Sequence, residues 1–409
     1  MMRIPSPARL LLPCFCCLFT VLGAEIRFVP LFNGDVALGN SWFDGEPSSM
    51  GANLGLDFAP IVRFSETSVL IPRLLYRYQG VRTALQIADK GNLYQQYQDY
   101  LGALKYVHGF GDGTLKGRAE FGYKTELTRE TEDEIWGKGL YDHTNPYLAV
   151  SLEKRFSAGS IDAGYRRSGF AYYNYSSLGS VPGVLSTGTV INGTNTFNST
   201  LDRVYLHAGF SLGRTEHRST FLDLDVAYDA VSYADNRVWT GYNQVSDQMR
   251  RDGVFTLGTR IVTTAFGSRR DTTLGLRLDV TSKGSNQNEI EGTTYAFIEG
   301  YYNYSRLTLQ PYMSVRFHPR ELTLDLAWQL AGTTYTERMA QDADGIPTDE
   351  KAQIRSSVLS VAATYPFGER WKAVLSAMFR GDSSNIAYEQ NYRYNFNSSN
   401  VMFSVLYEL

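Results

Sequence analysis

Past residue 17 the chain has no cysteine; Cys14, Cys16 and Cys17 are the only three in 409 residues. A disulfide scaffold, a thiolate-bound metal and a cysteine nucleophile are therefore excluded from the rest of the chain. Long hydrophobic runs are lacking as well. Beyond residue 24 no segment approaches 18 continuous apolar residues, so no membrane-spanning helix is expected. Histidine is scarce and scattered, at His108, His143, His207, His217 and His318. No HExxH, GxSxG or phosphate-binding glycine loop occurs, which leaves no catalytic residue, cofactor or metal to assign. The segment Asp342-Ala-Asp344-Gly345 is rich in oxygen ligands. It lacks the further spaced ligands and distal Glu of a calcium loop, and is read as a solvated turn. No charge of one sign dominates. The formal net charge is −3, and discounting Arg3 and Arg9 leaves −5, too mild and of the wrong sign for a nucleic-acid partner.

What is present begins with residues 1–24. A short basic start (Arg3, Arg9) precedes the apolar run Leu10–Leu22 and then Gly23-Ala24. This three-part layout predicts a secretory signal peptide cleaved after Ala24 and export through the Sec pathway, with residues 25–409 as one domain. Those residues are rich in Tyr (28 in the whole chain), Phe (22) and Gly (37). They are patterned with period two, so that one face of each extended segment is apolar. Leu115-Gly117-Ala119-Phe121-Tyr123 alternates with Lys116, Arg118, Glu120 and Lys124. Leu222, Leu224, Val226 and Tyr228 alternate with Asp223, Asp225 and Asp229, and Leu274, Leu276, Leu278 and Val280 with Arg277 and Asp279. Leu322 to Leu330 repeats the pattern around Asp325 and Gln329. Segments of about ten residues exceed the usual soluble strand and suit a tilted bilayer crossing. Tyr76, Tyr78, Tyr123, Tyr165, Trp371 and Phe379 sit near segment ends, where interfacial aromatic girdles belong.

The last nine residues alternate most cleanly. Val401, Phe403, Val405, Tyr407 and Leu409 share one face, with Met402, Ser404, Leu406 and Glu408 on the other. This strand resembles the closing strand of Gram-negative outer-membrane β-barrels, although that class commonly ends on Phe. The resemblance implies an all-β fold: a single transmembrane antiparallel β-barrel with short periplasmic turns and long extracellular loops. It also implies location in the outer membrane among its lipids, and delivery by periplasmic chaperones to the barrel assembly machinery. Phe403, Val405, Tyr407 and Leu409 would form the assembly signal.

Connections alternate in length. Short ones fall at Ser65–Ser68, Gly109–Gly113, Ser157–Gly159, Gly213–His217, Gly267–Arg269, His318–Arg320 and Gly368–Arg370. Long ones cover roughly 80–95, 129–143, 177–199, 234–250, 284–293, 335–353 and 384–398. Taking 294–317 as one long strand, and Ile26 to Phe32 extending towards Leu38 as the first, gives about 16 strands with both termini in the periplasm. Parity places Arg63, Arg73, Arg77, Lys116, Arg118, Asp223, Asp225, Asp229, Arg260 and Arg277 on the lumen wall, together with Lys105, Lys124, Arg155 and Arg166. Two arrangements remain open. A basic arc could face an acidic arc across water and orient dipolar solutes, or the charges could pair locally between neighbouring strands.

The functional expectation is a porin-like, water-filled channel for small polar or charged solutes, and no enzyme. An alternative is an export or assembly barrel for surface lipoprotein or polysaccharide, suggested by a loose likeness in Asp382–Ile386, Tyr388 and Tyr392–Tyr394. A structural or adhesive barrel is another. Asp223 and Asp225 near His217 would suit a hydrolase, but His217 borders a turn on the periplasmic side. Solute and oligomeric state are not specified.

Overall fold

Backbone N–H and C=O groups inside hydrocarbon have no water to bond, so a chain crossing in strands must close its sheet on itself. The computed structural model describes residues 26–80, 96–129, 134–175, 183–185, 190–191, 196–241, 244–290, 297–389 and 393–409. The expected signal peptide lies outside these residues, as do most of the loops at 80–95 and 177–199. Sixteen antiparallel staves form one closed barrel. In chain order they are β1 (Phe32–Phe43), β2 (Glu46–Phe58), β3 (Ser68–Gln79), β4 (Gln96–Phe110), β5 (Leu115–Arg129), β6 (His143–Phe156), β7 (Gly159–Tyr172) and β8 (Ser199–Arg214). Then follow β9 (Arg218–Gly241), β10 (Gln244–Ala265), β11 (Arg270–Ser285), β12 (Tyr304–Phe317), β13 (Leu322–Gln341), β14 (Pro347–Pro366), β15 (Trp371–Ser384) and β16 (Phe396–Glu408).

The seam joins β1 to β16 in one unbroken ladder from Asn33↔Glu408 to Phe43↔Ser398. Below it, Leu409 N donates to Phe32 O at 2.8 Å. The expectation for the first strand holds with one interruption. Arg27–Val29 pairs with Ile61–Arg63 in the register that β1 and β2 already share. The break falls where Pro30 and Pro60 stand opposite each other, because neither can donate to the ladder.

Parity sorts the side chains as alternation demands. Leu38, Phe403 and Leu375 occupy one lateral row and are 61, 50 and 55% exposed on the outside. Ala37, Ser404 and Val374, one residue along, share the inner face. The outer wall is a belt of leucine, valine and phenylalanine. Phe110, Phe156, Phe266, Tyr365 and Phe367 stand exposed at its periplasmic end, and Tyr100, Tyr123, Tyr165 and Tyr228 towards the other.

Three expected connections differ. Residues 234–241, 244–250 and 335–353 are not loops but belong to tall hairpins: β9 has 24 residues, β10 has 22, and β13 and β14 have 20 each. Polarity there reflects water on both faces above the membrane, and the backbone keeps its ladder through register shifts. Asp342 closes the second hairpin by accepting from the amides of Asp344 and Ile346 at 3.0 and 2.9 Å, so this turn is organised by its own backbone. The single long strand over 294–317 is replaced by β12, which starts only at Tyr304; Phe297–Ile298 pairs with Glu289–Ile290 instead. The β1–β2 connection on the extracellular side is just Asp44-Gly45, both at positive φ (47° and 87°), as a tight hairpin turn requires.

This parity yields a direct test. Phe403→Arg puts a cation in hydrocarbon and is expected to cost about 2–4 kcal/mol in vesicle unfolding titrations. Ser404→Arg, one residue away but facing inward, is expected to cost far less; equal costs would contradict the assigned faces.

Candidate lumen wall

The inner face of β3–β11 is a lattice of acids and bases set by the registers. The ladders place Asp57 beside Leu75, and Arg73, one inner position below on β3, reaches it with Nε and Nη2 at 2.9 and 2.6 Å. Arg118 on β5 bridges Glu153 on β6 and Asp162 on β7, the latter at 2.8 Å, and Glu153 also accepts from Arg155. Lys124 spans Asp99 (3.1 Å) and Glu126 (2.7 Å), and Lys105 lies 3.8 Å from Glu120. On β8–β11, Arg203 meets Asp229 at 3.2 Å, Arg260 meets Asp223 at 2.6 Å and Arg277 meets Asp279 at 2.8 Å.

Of the two arrangements the sequence left open, the wall therefore adopts local pairing. Asp223 and Asp229 are each held by an arginine on a neighbouring stave, so no acidic arc confronts a basic one. The physical reason is the register: Asp223↔Arg260 and Arg203↔Asp229 are directly opposite, where opposite charges attract most strongly. Asp225 takes His207, whose Nδ1 lies 2.7 Å away. In sequence the histidine considered beside Asp223 and Asp225 is His217, and its turn on the periplasmic side argues against a hydrolase. His217 lies in the short turn below β9, whereas His207 is the ladder partner of Asp225; only the register reveals it.

The remaining expected wall residues also carry inner parity. Arg77 sits opposite Asp99 and Lys116 opposite Glu153, but neither makes an ion pair among the described residues. Arg166 stacks on the Tyr147 ring at 3.9 Å and donates to Ser168. Arg63 is exposed at the periplasmic mouth. These charges are not packed away. The side chains of Arg73, Arg260 and Arg277 are 42, 46 and 45% exposed inside the barrel. The wall from β12 to β1 is more sparsely charged: Gln310, Ser314, Ala327, Ser360, Ser376, Asn400 and Ala37 line it together with charged residues that include Asp325, Asp35 and the pairs Arg380–Asp382 (2.6 Å) and Lys372–Glu408 (2.7 Å).

At the extracellular mouth residues 286–290 and 297–303 pack against the inner faces of the neighbouring hairpins, which sequence reasoning missed. Arg250 is gripped by Asp252 (2.9 and 2.8 Å) and lies 4.7 Å from both the Tyr233 and Tyr302 rings. Arg338 on the tall β13 stacks against Tyr301, Tyr335 and Tyr394 at 4.9–5.5 Å. Tyr301 and Tyr302 thus anchor one loop to two hairpins. Burial pushes the Tyr301 phenol up to about 12. Burial, then the Glu289 carboxylate that its hydroxyl donates to, raises Tyr302 further, so both remain protonated donors. The adjacent Tyr301–Tyr304 cluster was the available signal, since aromatic rings and arginine pair readily.

No family model and no curated protein matches this chain. Among solved structures, it is similar to in-vitro folded OmpT, an outer-membrane protein of Vibrio cholerae in trimer form, at 9% identity and TM-score 0.47 over 94% of this chain and 100% of that one. It is also similar to OpdQ of Pseudomonas aeruginosa, at 10% identity and TM-score 0.46 over 93% and 98%. An anion-selective porin from Comamonas acidovorans matches at 9% identity and TM-score 0.43 over 94% and 100%. At these values the assignment of the barrel rests on the closure of the chain's own sheet.

The lattice predicts unequal stability costs. Arg118→Gln leaves Asp162 without its base and the 7% exposed Glu153 with Arg155 alone, and is expected to cost about 3 kcal/mol. Arg277→Gln, at a wet pair, is expected to cost no more than about 1 kcal/mol. Denaturant titration of the two folded variants checks the order.

Proposed function

We propose that this chain is an outer-membrane pore that passes small polar or charged solutes through a water-filled lumen, without a chemical step. The observation that carries the reading is the exposure of the inner arginines: a ring of 16 staves whose inward charges remain accessible is not filled by its own side chains. In a packed barrel such groups would be buried and would demand complete pairing. Outside, the apolar belt with aromatic ends fits a bilayer, and both termini fall on the short-turn side.

Selectivity follows from the pairing. Each acid neutralised beside its base contributes little net field at the centre of the lumen, so ions of both signs should pass with a permeability ratio near unity. The groups left without a carboxylate among the described residues, including Arg77, Lys116 and Arg166, are cationic and bias the β3–β7 sector towards anions. In this reading the polypeptide is exported by Sec and escorted by chaperones. The assembly machinery then reads Phe403, Val405, Tyr407 and Leu409, which lie on the outward face of β16.

Planar-bilayer recordings of purified protein test this. Steady conductance is expected. Asp223→Asn, Asp225→Asn and Asp229→Asn together should shift preference towards anions by freeing Arg260 and Arg203. Arg73→Gln with Arg77→Gln should shift it towards cations. Both shifts should fade at molar salt, where screening acts within about 3 Å. A barrel that passes no current contradicts the pore.

A further inference from the structure

The outer wall is not uniformly convex. Between β13 and β1 it holds a groove of about 690 Å³, within the size range of small-molecule sites. Trp328, Leu359, Phe379, Ser399 and Trp42 follow one another along a single outward row of the ladders. The depression exists because small residues replace large ones at its floor: Ser357 and Gly381 in the row above, and Ser399 beside Phe379. Trp328 forms one wall and is held there, its indole N–H donating to Ser357 Oγ at 2.9 Å.

One row higher on the same face stands Arg355, between Gly332 and Ser383. Its position relative to the membrane follows from strand geometry. Tyr365, exposed at the periplasmic edge of the belt, is ten residues below on the same stave. Ten residues rise about 34 Å along a strand, or about 25 Å across the membrane at the usual tilt, which is the height of the apolar band. Arg355 therefore stands at the outer-leaflet headgroup level, directly above the groove. It is exposed and has no hydrogen-bond or ion-pair partner among the described residues. Another outward arginine near the extracellular end of its stave, Arg167, is neutralised by Asp202 at 3.7 Å, which also accepts from Tyr165.

An unpaired arginine beside hydrocarbon is costly unless it meets an anion, and a guanidinium binds phosphate through two parallel hydrogen bonds. We propose that this groove is a lipid-binding site. It holds one acyl chain of an anionic phospholipid of the outer leaflet between Trp328 and Phe379, with the lipid phosphate, uncompensated by any headgroup cation, on Arg355. The site is separate from the lumen and does not rest on the pore reading.

Tryptophan fluorescence of the protein folded in phosphatidylcholine vesicles tests the site. Trp42 and Trp328 flank the groove, and bromine on an acyl chain quenches only rings that it touches. At equal mole fraction, brominated phosphatidylglycerol is expected to quench more than brominated phosphatidylcholine. Arg355→Gln should weaken the apparent affinity for the anionic lipid about tenfold, as expected for loss of one charge-assisted phosphate contact. Trp328→Phe should remove most of the excess quenching, and Arg167→Gln should leave it intact. Equal quenching by the two lipids, or an excess that survives Arg355→Gln, overturns the proposal. So does an excess that Trp328→Phe leaves unchanged, since the acyl chain would then not lie against Trp328.

Discussion

The ladder between the first and last staves is the interaction on which the rest depends. An open sheet of the sixteen strands, joined by only fifteen pairings in hydrocarbon, would still expose two edges, each a row of unsatisfied N–H and C=O groups costing several kcal/mol apiece. The eleven residue pairs from Asn33↔Glu408 to Phe43↔Ser398 remove both edges at once. Closure also fixes parity around the whole ring, because one register determines which residues of every stave face lipid. The clean alternation of Val401 to Leu409 is thus a global constraint expressed in nine residues.

Inside the ring, the same registers decide the electrostatics. Arginine and aspartate meet side by side at Arg260–Asp223, Arg203–Asp229 and Arg73–Asp57. Such pairs lower the cost of holding many charges on a curved wall, and they cancel much of the transverse field that separated arcs would create. What remains is asymmetry of another kind. One side of the lumen carries the dense lattice, and the other spreads fewer charges among small neutral residues, including Asp35, Asp325 and the pairs Arg380–Asp382 and Lys372–Glu408. Above the membrane, Arg250 and Arg338 knit Tyr302 and Tyr301 into a packed rim, so the mouth is shaped by cation–aromatic contacts rather than by ion pairs alone.

Much of this was legible in the chain. Period-two alternation identified the staves, the closing strand identified the barrel, and inward parity picked out many charged wall positions, although Asp99, Glu126 and Arg203 were missed. Three further features were missed, each for a physical reason. Tall hairpins such as Arg218–Gly241 look like loops, because polar residues on both faces signal solvent rather than the absence of strand. The Asp44-Gly45 turn was overlooked because it breaks the short–long alternation of the connections, although Asp-Gly between extended segments is itself a hairpin signal. The pairing of His207 with Asp225 required the register between β8 and β9, and a slip of one residue between them would have turned one of the two to the lipid.

The central claim is a wet lumen bounded by this parity, and adjacent cysteines on β9 test it most directly. Ala227 faces inward opposite Tyr205 and Thr256, and Val226 faces the lipid belt opposite Leu206 and Leu257. In vesicle-embedded protein, Ala227→Cys should react rapidly with a charged, membrane-impermeant thiol reagent, and Val226→Cys should not. Reaction at Val226→Cys alone, or at neither position, would contradict a water-filled barrel of this register.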